Sequence, residues 1–136
     1  REFLQIKPDL HVAGQVRNGT TKGIDEYALA AYNAPFPDEN HKQGVRQFPN
    51  LVPGTPRTPS AEPNKEAWKI LREWKKPFLC AFSDKDPIFS GVENSFYKLI
   101  PGCKNMPHVT IEDAGHFLQE DQPEACVDAI LSIKDI

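Results

Sequence analysis

The chain is 136 residues long, with 39% hydrophobic and 26% charged residues, a composition that is typical of a globular domain and excludes intrinsic disorder. Its formal net charge is −3 and its basic residues form no stripe, so we expect neither nucleic acid nor a membrane surface as a partner. No apolar run approaches the roughly 20 residues of a membrane-spanning helix, and no signal peptide is visible.

Residues 1–53 have the pattern of short helices and turns. Apolar side chains at positions 24, 27, 28 and 31 share one helical face, which predicts a helix that ends before Pro35. Asp38 is a suitable N-cap for a second helix, which carries Val45 and Phe48 on one face. Five prolines between positions 49 and 63 then predict a stretch that is neither regular helix nor central strand. The predicted regions are therefore a helical part (1–53), a proline-rich connection (54–64) and a second part (65–136).

After residue 64 the pattern changes to alternating helices and strands. Apolar residues at positions 67, 70, 71 and 74 predict a helix, followed by a strand over 77–82, a helix over 92–100 and a strand over 107–111. A last helix begins near Pro123 and presents Cys126, Ile130 and Ile133 on one face. This order predicts an α/β fold with parallel strands. Because two parallel strands do not form a stable sheet alone, we expect the C-terminal part of a fold roughly twice as long.

The three cysteines are Cys80, Cys103 and Cys126. They are odd in number and widely spaced, and two of them lie in apolar runs. This pattern favours buried free thiols in a reducing, cytoplasmic compartment over a disulfide framework or a zinc site. We expect no metal ion and no cofactor.

Two polar motifs follow the predicted strands: Phe-Ser-Asp-Lys-Asp-Pro-Ile at 82–88 and Asp-Ala-Gly-His-Phe-Leu-Gln-Glu-Asp at 113–121. Ligands of open parallel sheets bind beyond the carboxyl ends of the strands, which places Asp86 and His116 where catalytic groups lie. A carboxylate bound to one imidazole nitrogen fixes the tautomer and leaves the other nitrogen free to act as a general base. We predict that Asp86 and His116 are the acid and base of a triad whose nucleophile is not in this chain.

Other side chains compete with this interpretation. Taken singly, an Asp before Pro is usually a turn former, and a Gly-His pair can be an ordinary turn. Asp84 competes with Asp86 for the acid role, but it lies closer to the strand end and is expected to bind the turn. The carboxylates at positions 112, 113, 120 and 121 are expected to form a solvated rim. Trp68 and Trp74 are expected to serve core packing or surface cover, and the histidines at 41 and 108 to be structural.

The first part of the chain carries a second signal. The segments Tyr-Asn-Ala-Pro-Phe-Pro-Asp-Glu-Asn (32–40) and Gly-Val-Arg-Gln-Phe-Pro-Asn-Leu-Val-Pro (44–53) place apolar groups on corners that proline makes rigid. This suits a lid over an apolar cavity, with an ordinary small helical subdomain as an equal alternative.

These two segments, with the acid motif and Ala-Gly-His-Phe-Leu-Gln-Glu, resemble the cap domain and C-terminal half of haloalkane dehalogenases, a family of α/β-hydrolases. The resemblance runs from the region of Tyr27 to the final helix, whereas residues 1–20 and 54–64 match poorly. The Gly-His block is shared by many α/β-hydrolases, and the Tyr-x-Ala-Pro-Phe-Pro and Phe-Pro-x-x-Val blocks are specific to this family. The implied fold is the C-terminal part of an α/β-hydrolase, two parallel strands with flanking helices, plus most of a helical cap within 1–53.

The resemblance implies Asp86 as the acid and His116 as the base. In the α/β-hydrolase order of nucleophile, acid and His, the nucleophile would lie upstream of Arg1. The resemblance also implies two indole N–H donors for the leaving halide. One would lie in the cap, at or just before Arg1, and the other beside the nucleophile, so Trp68 and Trp74 do not match them. The implied substrate pocket has a cap side and a side near the triad, lined by Phe48, Pro49 and Val52 and by Ile88, Phe89 and Phe117.

The activity that the resemblance implies is hydrolysis of a carbon–halogen bond to alcohol and halide through an alkyl-enzyme ester. The expected partners are a small apolar halogenated substrate, water and the missing N-terminal half of the fold, without which the chain is expected to be inactive. An epoxide hydrolase or an esterase is the alternative among enzymes, and Tyr27 and Tyr32 would matter to an epoxide hydrolase if they pointed into the site. A non-catalytic hydrolase-like fragment is the alternative outside enzymes.

Overall fold

The computed structural model describes residues 9–133, which form short helices around two parallel strands. In chain order the elements are helix α1 (Val12–Asn18), α2 (Glu26–Asn33), a 3₁₀ turn (Glu39–Lys42), α3 (Gln43–Leu51), α4 (Ala61–Leu71), strand β1 (Ala81–Ser83), α5 (Glu93–Leu99), a 3₁₀ turn (Pro101–Cys103), strand β2 (Val109–Ile111), α6 (Leu118–Asp121) and α7 (Pro123–Ser132). The strands pair from Ala81 with Val109 to Ser83 with Ile111. The predicted α/β class is confirmed. Within residues 9–133, no helix is long and apolar enough to cross a membrane.

Helix α2 is fixed at both ends by its sequence. The Asp25 carboxylate accepts the N–H of Ala28 at 2.7 Å, and the helix ends at Asn33, before Pro35 as predicted. The Asn33 side chain accepts the N–H of Ala13 at 3.2 Å and so links α2 to α1. The apolar side chains that were expected to share one face of this helix are not buried within the described residues. Tyr27 is 85% exposed and no residue of α2 is buried.

The proline-rich stretch is more helical than predicted. Asp38 caps the 3₁₀ turn rather than a regular helix, and α3 then continues through Pro49 to Leu51. Pro49 lies in the last turn of α3, where its missing N–H removes one intrahelical hydrogen bond, and the helix ends two residues later. Helix α4 begins at Ala61, inside the predicted connection, with Pro63 in its first turn. The N–H groups of a first turn have no acceptor within the helix, so Pro63 loses nothing there.

The core beside the sheet is small and partly aromatic. Buried Cys80, Ile100 and Cys103 form its centre, with five partly buried side chains packed around them: Trp68, Leu71, Phe78, Phe82 and Phe96. The Trp68 ring stacks on Phe96 with centroids 5.7 Å apart, so its predicted packing role is confirmed. Ile70 is 65% exposed because Trp68 and Leu71, rather than Ile70, face this core.

The structural role predicted for His108 is also confirmed. Its Nδ1 accepts the N–H of Cys80 at 3.1 Å, which leaves Nε2 to donate to the Cys103 carbonyl at 2.9 Å. All three cysteines are free, as predicted. Burial raises the pKa of the Cys80 thiol to about 12, so this thiol stays protonated and unreactive at neutral pH.

Helix α7 begins with Pro123 in its first turn, as predicted, but its apolar face is not buried. Ile130 is 66% exposed and Ile133 41% exposed, and Ala129 is the buried residue of the helix. No described element packs over this face. It opens instead onto a shallow apolar hollow beside β1, lined by Leu79, Ala81, Leu118, Gln119, Cys126, Ala129, Ile130 and Ile133.

Candidate active site

The two polar motifs lie side by side because the strands before them are parallel neighbours. Ser83 and Ile111 are paired at the strand ends, and both chains then turn into loops on the same edge of the sheet. Two backbone hydrogen bonds join the loops, from Asp84 N–H to the Ile111 carbonyl at 3.2 Å and from Lys85 N–H to the Ala114 carbonyl at 3.1 Å. The loop after β1 carries Asp86 and the loop after β2 carries His116.

Asp86 and His116 are hydrogen-bonded to each other. His116 Nδ1 lies 3.0 Å from Asp86 Oδ2, and Asp86 Oδ1 accepts the N–H of Ile88 at 2.8 Å. The Asp86 side chain is 8% exposed, whereas that of His116 is 28% exposed. Because an ionised carboxylate only accepts, this bond places a proton on Nδ1 and leaves the Nε2 lone pair free to take one. The predicted hydrogen bond is therefore present, and the catalytic roles stay a prediction.

The charge state of Asp86 follows from its surroundings. Burial works to raise the pKa of its carboxyl group, but the bonds from His116 and from the Ile88 N–H outweigh burial, and the pKa is lowered. Asp86 is therefore an anion at neutral pH. An anion at this place stabilises positive charge on the imidazole ring whenever Nε2 takes a proton.

The other acidic residues near His116 divide into two groups. Asp84 accepts the N–H of Ala114 at 3.1 Å and binds the turn, as predicted. Asp113 is exposed and pairs with Lys85, as a solvated rim would. The same expectation is wrong for Asp121, which is 3% exposed because it accepts backbone N–H groups instead of facing water. It was missed because its partners include residues about 100 positions earlier in the chain.

A cavity of about 1250 Å³ lies beside His116, between α3 and the two loops. Every predicted pocket residue lines it, namely Phe48, Pro49, Val52, Ile88, Phe89 and Phe117. The Phe89 and Phe117 rings flank the imidazole, with centroids 5.5 Å and 5.1 Å from its centre. One part of the cavity wall was not predicted, because the first 20 residues and the position after them gave no recognisable motif. This part comprises Gln15, Asn18, Gly19, Thr20 and Thr21. Binding of a substrate by these residues stays a prediction.

A buried carboxylate and an imidazole in loops that follow adjacent parallel strands, beside an apolar cavity, form the arrangement expected of the C-terminal part of an α/β-hydrolase. No protein-family model matches the chain.

Comparison with known proteins identifies the family. The chain is 49% identical to a haloalkane dehalogenase of Psychrobacter cryohalolentis over 124 residues. This match covers 91% of the chain and 41% of the relative. The chain is 39% identical to the enzyme of that name in Mycolicibacterium paratuberculosis and 38% identical to that of Mycobacterium marinum, each over 97% of the chain and 44% of the relative. The chain belongs to the haloalkane dehalogenase family. It spans somewhat over two fifths of the length of these relatives, which agrees with the predicted partial fold.

Proposed function

We propose that the chain supplies the acid, the base and one wall of the substrate pocket of a haloalkane dehalogenase. The observation that carries this proposal is the 3.0 Å bond between His116 Nδ1 and Asp86, beside an apolar cavity, in a member of this family. The substrate would be a small apolar haloalkane, and the products an alcohol and a halide ion.

The proposed reaction has two steps. A carboxylate nucleophile outside this chain attacks the carbon that bears the halogen, so that a carbon–oxygen bond forms and the halide leaves with the electron pair of the broken bond. His116 Nε2 then takes a proton from water, whose oxygen attacks the ester carbonyl. The bond between the ester carbonyl carbon and the alkoxide oxygen then breaks, and the imidazolium returns that proton to the departing alkoxide, which leaves as the alcohol. The nucleophile is left as a carboxylic acid, which releases its proton to water and becomes a carboxylate again. Asp86 holds the tautomer and stabilises the imidazolium throughout the second step.

The pocket wall suits such a substrate. A haloalkane has no hydrogen-bonding group, so its affinity must come from burial of apolar surface. Phe48 and Val52 of the cap side and Phe89 and Phe117 beside the imidazole provide that surface. His116 also lines this cavity, which supports its proposed role as the base that activates water beside a bound substrate.

The exposed apolar faces support a longer functional protein. A parallel sheet needs cover on both sides and several neighbouring strands, yet the described sheet has two strands. Ile130 and Ile133 leave an apolar hollow beside β1 without a covering element among residues 9–133. We propose that the N-terminal half of the fold covers this hollow and supplies the nucleophile and the halide-binding donors.

The epoxide hydrolase alternative receives less support. Opening an epoxide needs an acid in the cap that protonates the leaving oxygen. Tyr27 is 85% exposed, and the Tyr32 hydroxyl donates to Glu120 at 2.6 Å. Neither tyrosine is among the residues that line the cavity. The esterase alternative differs from our proposal in the nucleophile, which lies outside this chain.

Replacement of the base tests the proposal in the full-length protein that carries this chain. Attack of a carboxylate on carbon does not need His116, whereas hydrolysis of the resulting ester does. His116→Gln should therefore release about one halide per site in a burst and then stop as a covalent ester. Intact mass after exposure to a 1-haloalkane measures the adduct, and His41→Gln, at an exposed histidine outside the cavity, is the matched control. An unmodified His116→Gln protein without a burst would exclude the ester mechanism, and steady turnover would exclude His116 as the base.

A further inference from the structure

Asp121 is a buried carboxylate that the proposed reaction does not use. Its oxygens accept the backbone N–H groups of Gly115 at 2.8 Å, Thr21 at 2.9 Å and Lys22 at 3.0 Å. The Lys22 ammonium group also donates to the Asp121 carbonyl at 2.7 Å. Burial works to raise the pKa of the carboxyl group, but these backbone donors outweigh burial and lower it. Asp121 is therefore a fixed anion that gathers donors from two separate loops.

The two loops are the one that carries His116 and the connection between α1 and α2. Two further hydrogen bonds join them, from Phe117 N–H to the Gly19 carbonyl at 3.1 Å and from the Thr21 hydroxyl to the Asp113 carbonyl at 2.8 Å. The backbones are so close at Gly115 that a Cβ atom there would lie 2.4 Å from the Gly19 oxygen. Both loops line the cavity. Their contact thus connects the part of the cavity wall between α1 and α2 to the loop that carries the imidazole.

His116 is held from both sides by this contact. The N–H of Gly115, just before His116, is bound by Asp121, and the N–H of Phe117, just after it, is bound by Gly19. The ring must stay within about 3.2 Å of Asp86 for Nδ1 to keep its proton and Nε2 to face the ester. A small shift of the backbone at His116 would break that geometry, since the ring has few torsions with which to compensate.

We propose that Asp121 is a positioning residue, which anchors the His116 loop on the connection between α1 and α2 and so sets the orientation of the imidazole. This inference rests on the proposed role of His116 as the base. Asp121 would then affect hydrolysis by orienting His116, without itself contacting substrate or water.

The test compares Asp121→Asn with Asp128→Asn in the full-length protein. Asp128 is an exposed aspartate on α7, so its variant controls for the loss of one negative charge. An asparagine at 121 keeps one acceptor oxygen but turns an NH₂ group toward backbone donors, which should release the His116 loop. A misplaced base costs roughly ten- to a hundredfold in rate. Because slower hydrolysis of the ester lowers kcat and KM together in a two-step reaction, we expect kcat to fall by that factor while kcat/KM stays within about twofold of the control and the halide burst is kept.

The nitrogen-15 signals of the His116 ring provide a readout that needs no substrate. In the resting protein, Asp121→Asn should shift them from the Nδ1–H tautomer toward a mixture, and Asp128→Asn should not. Unchanged ring signals and unchanged kcat in Asp121→Asn would overturn the inference, as would a loss of thermal stability without any change in the ring signals.

Thr21→Ala keeps the inference testable if Asp121→Asn does not fold. It removes the bond from the exposed Thr21 to the Asp113 carbonyl and so weakens the same contact between loops more gently. We expect a smaller shift of the same ring signals, and their constancy would overturn the inference. The absence of any halide release by the unsubstituted protein would instead contradict the proposed function, and the ring signals would still decide the role of Asp121.

Discussion

Asp84 and Asp86 follow β1 and lie two positions apart in the sequence. Their surroundings differ, and we therefore expect different effects of substitution. Asp86 is buried against His116, whereas Asp84 is exposed and accepts the N–H of Ala114. In the full-length protein, Asp86→Asn should lower kcat by roughly 10³- to 10⁴-fold, because the amide can favour the wrong imidazole tautomer. Asp84→Asn keeps an acceptor for the turn and should stay within about threefold of the parent rate. Steady-state halide release measures both, and equal losses would mean that the acid has been assigned to the wrong residue.

The lowered pKa of Asp86 predicts a pH dependence of stability. Its pKa lies below its ordinary value of 3.8 in the folded chain, because the bonds from His116 and the Ile88 N–H outweigh burial. Such a carboxyl group stabilises the fold above its unfolded pKa and loses this contribution as the pH falls through its folded pKa. Between pH 7 and about 4 the contribution should therefore be constant, and below that it should disappear. Urea unfolding across this range should show that the free energy of unfolding falls less at acid pH for Asp86→Asn than for the parent. Equal decreases in the two proteins would contradict the prediction.

Single residues were predictable where the chemistry follows the local sequence. Asp86 and His116 each come shortly after an apolar run, and parallel pairing of those runs brings them together. Asp121 was not predictable in this way, since its acidic neighbours suggested a solvated rim. Its donors Thr21 and Lys22 come close only through the folded path of the chain. A buried anion that is satisfied by backbone groups leaves no side-chain pattern in the sequence.

Helix α3 is the element that carries the cap side of the pocket, and its two faces give a matched pair of variants. Phe48 lines the cavity, whereas Leu51, also an exposed apolar residue, does not. If a bound haloalkane covers the Phe48 ring, Phe48→Ala removes roughly 1.5 kcal/mol or more of binding. That loss should raise KM about tenfold in the full-length protein with a smaller change in kcat. Leu51→Ala should leave KM within about twofold, and equal effects of the two variants would place the substrate elsewhere.

At the scale of elements, helix ends were more predictable than helix faces. The end of α2 before Pro35, the cap at Asp38 and the start of α7 at Pro123 act through local backbone chemistry, which a sequence window contains. The faces of α2, α4 and α7 depend on what packs against each helix, and Tyr27, Ile70 and Ile130 are exposed where periodicity predicted burial. Prolines also misled the prediction, because Pro63 lies in the first turn of α4, where the lost N–H matters little, and Pro49 lies in the last turn of α3.

At the scale of the whole molecule, the short sheet and the exposed faces have one physical explanation. Exposed apolar faces of this extent mark surfaces that another element covers, and our proposal is that the N-terminal half of the fold covers them. The hollow beside β1 and the exposed Ile130 and Ile133 lie together on one side. The predicted division at 54–64 and the cytoplasmic location, which rests on the thiols, stay predictions.

The last prediction concerns the chain by itself and follows from the chemistry it carries. A base and its acid without a nucleophile cannot form the alkyl-enzyme ester, so the isolated 136-residue chain should release no halide from a 1-haloalkane. Halide release that His116→Ala abolishes would contradict this expectation and place a nucleophile within the chain.

Adding the N-terminal part of a relative distinguishes a chain that lacks only the nucleophile from a chain that fails to fold. The N-terminal part of the Psychrobacter cryohalolentis relative, co-expressed with this chain, should cover the apolar hollow and restore burst and turnover, since the two chains are 49% identical over the shared region. Ile130→Asp in this chain should block that assembly, because it places a charge in the surface to be buried. Asp128→Asn, on the same helix, is the control that should assemble normally. Co-purification of the Ile130→Asp chain with the N-terminal part at the parent level would show that this face does not join the two halves.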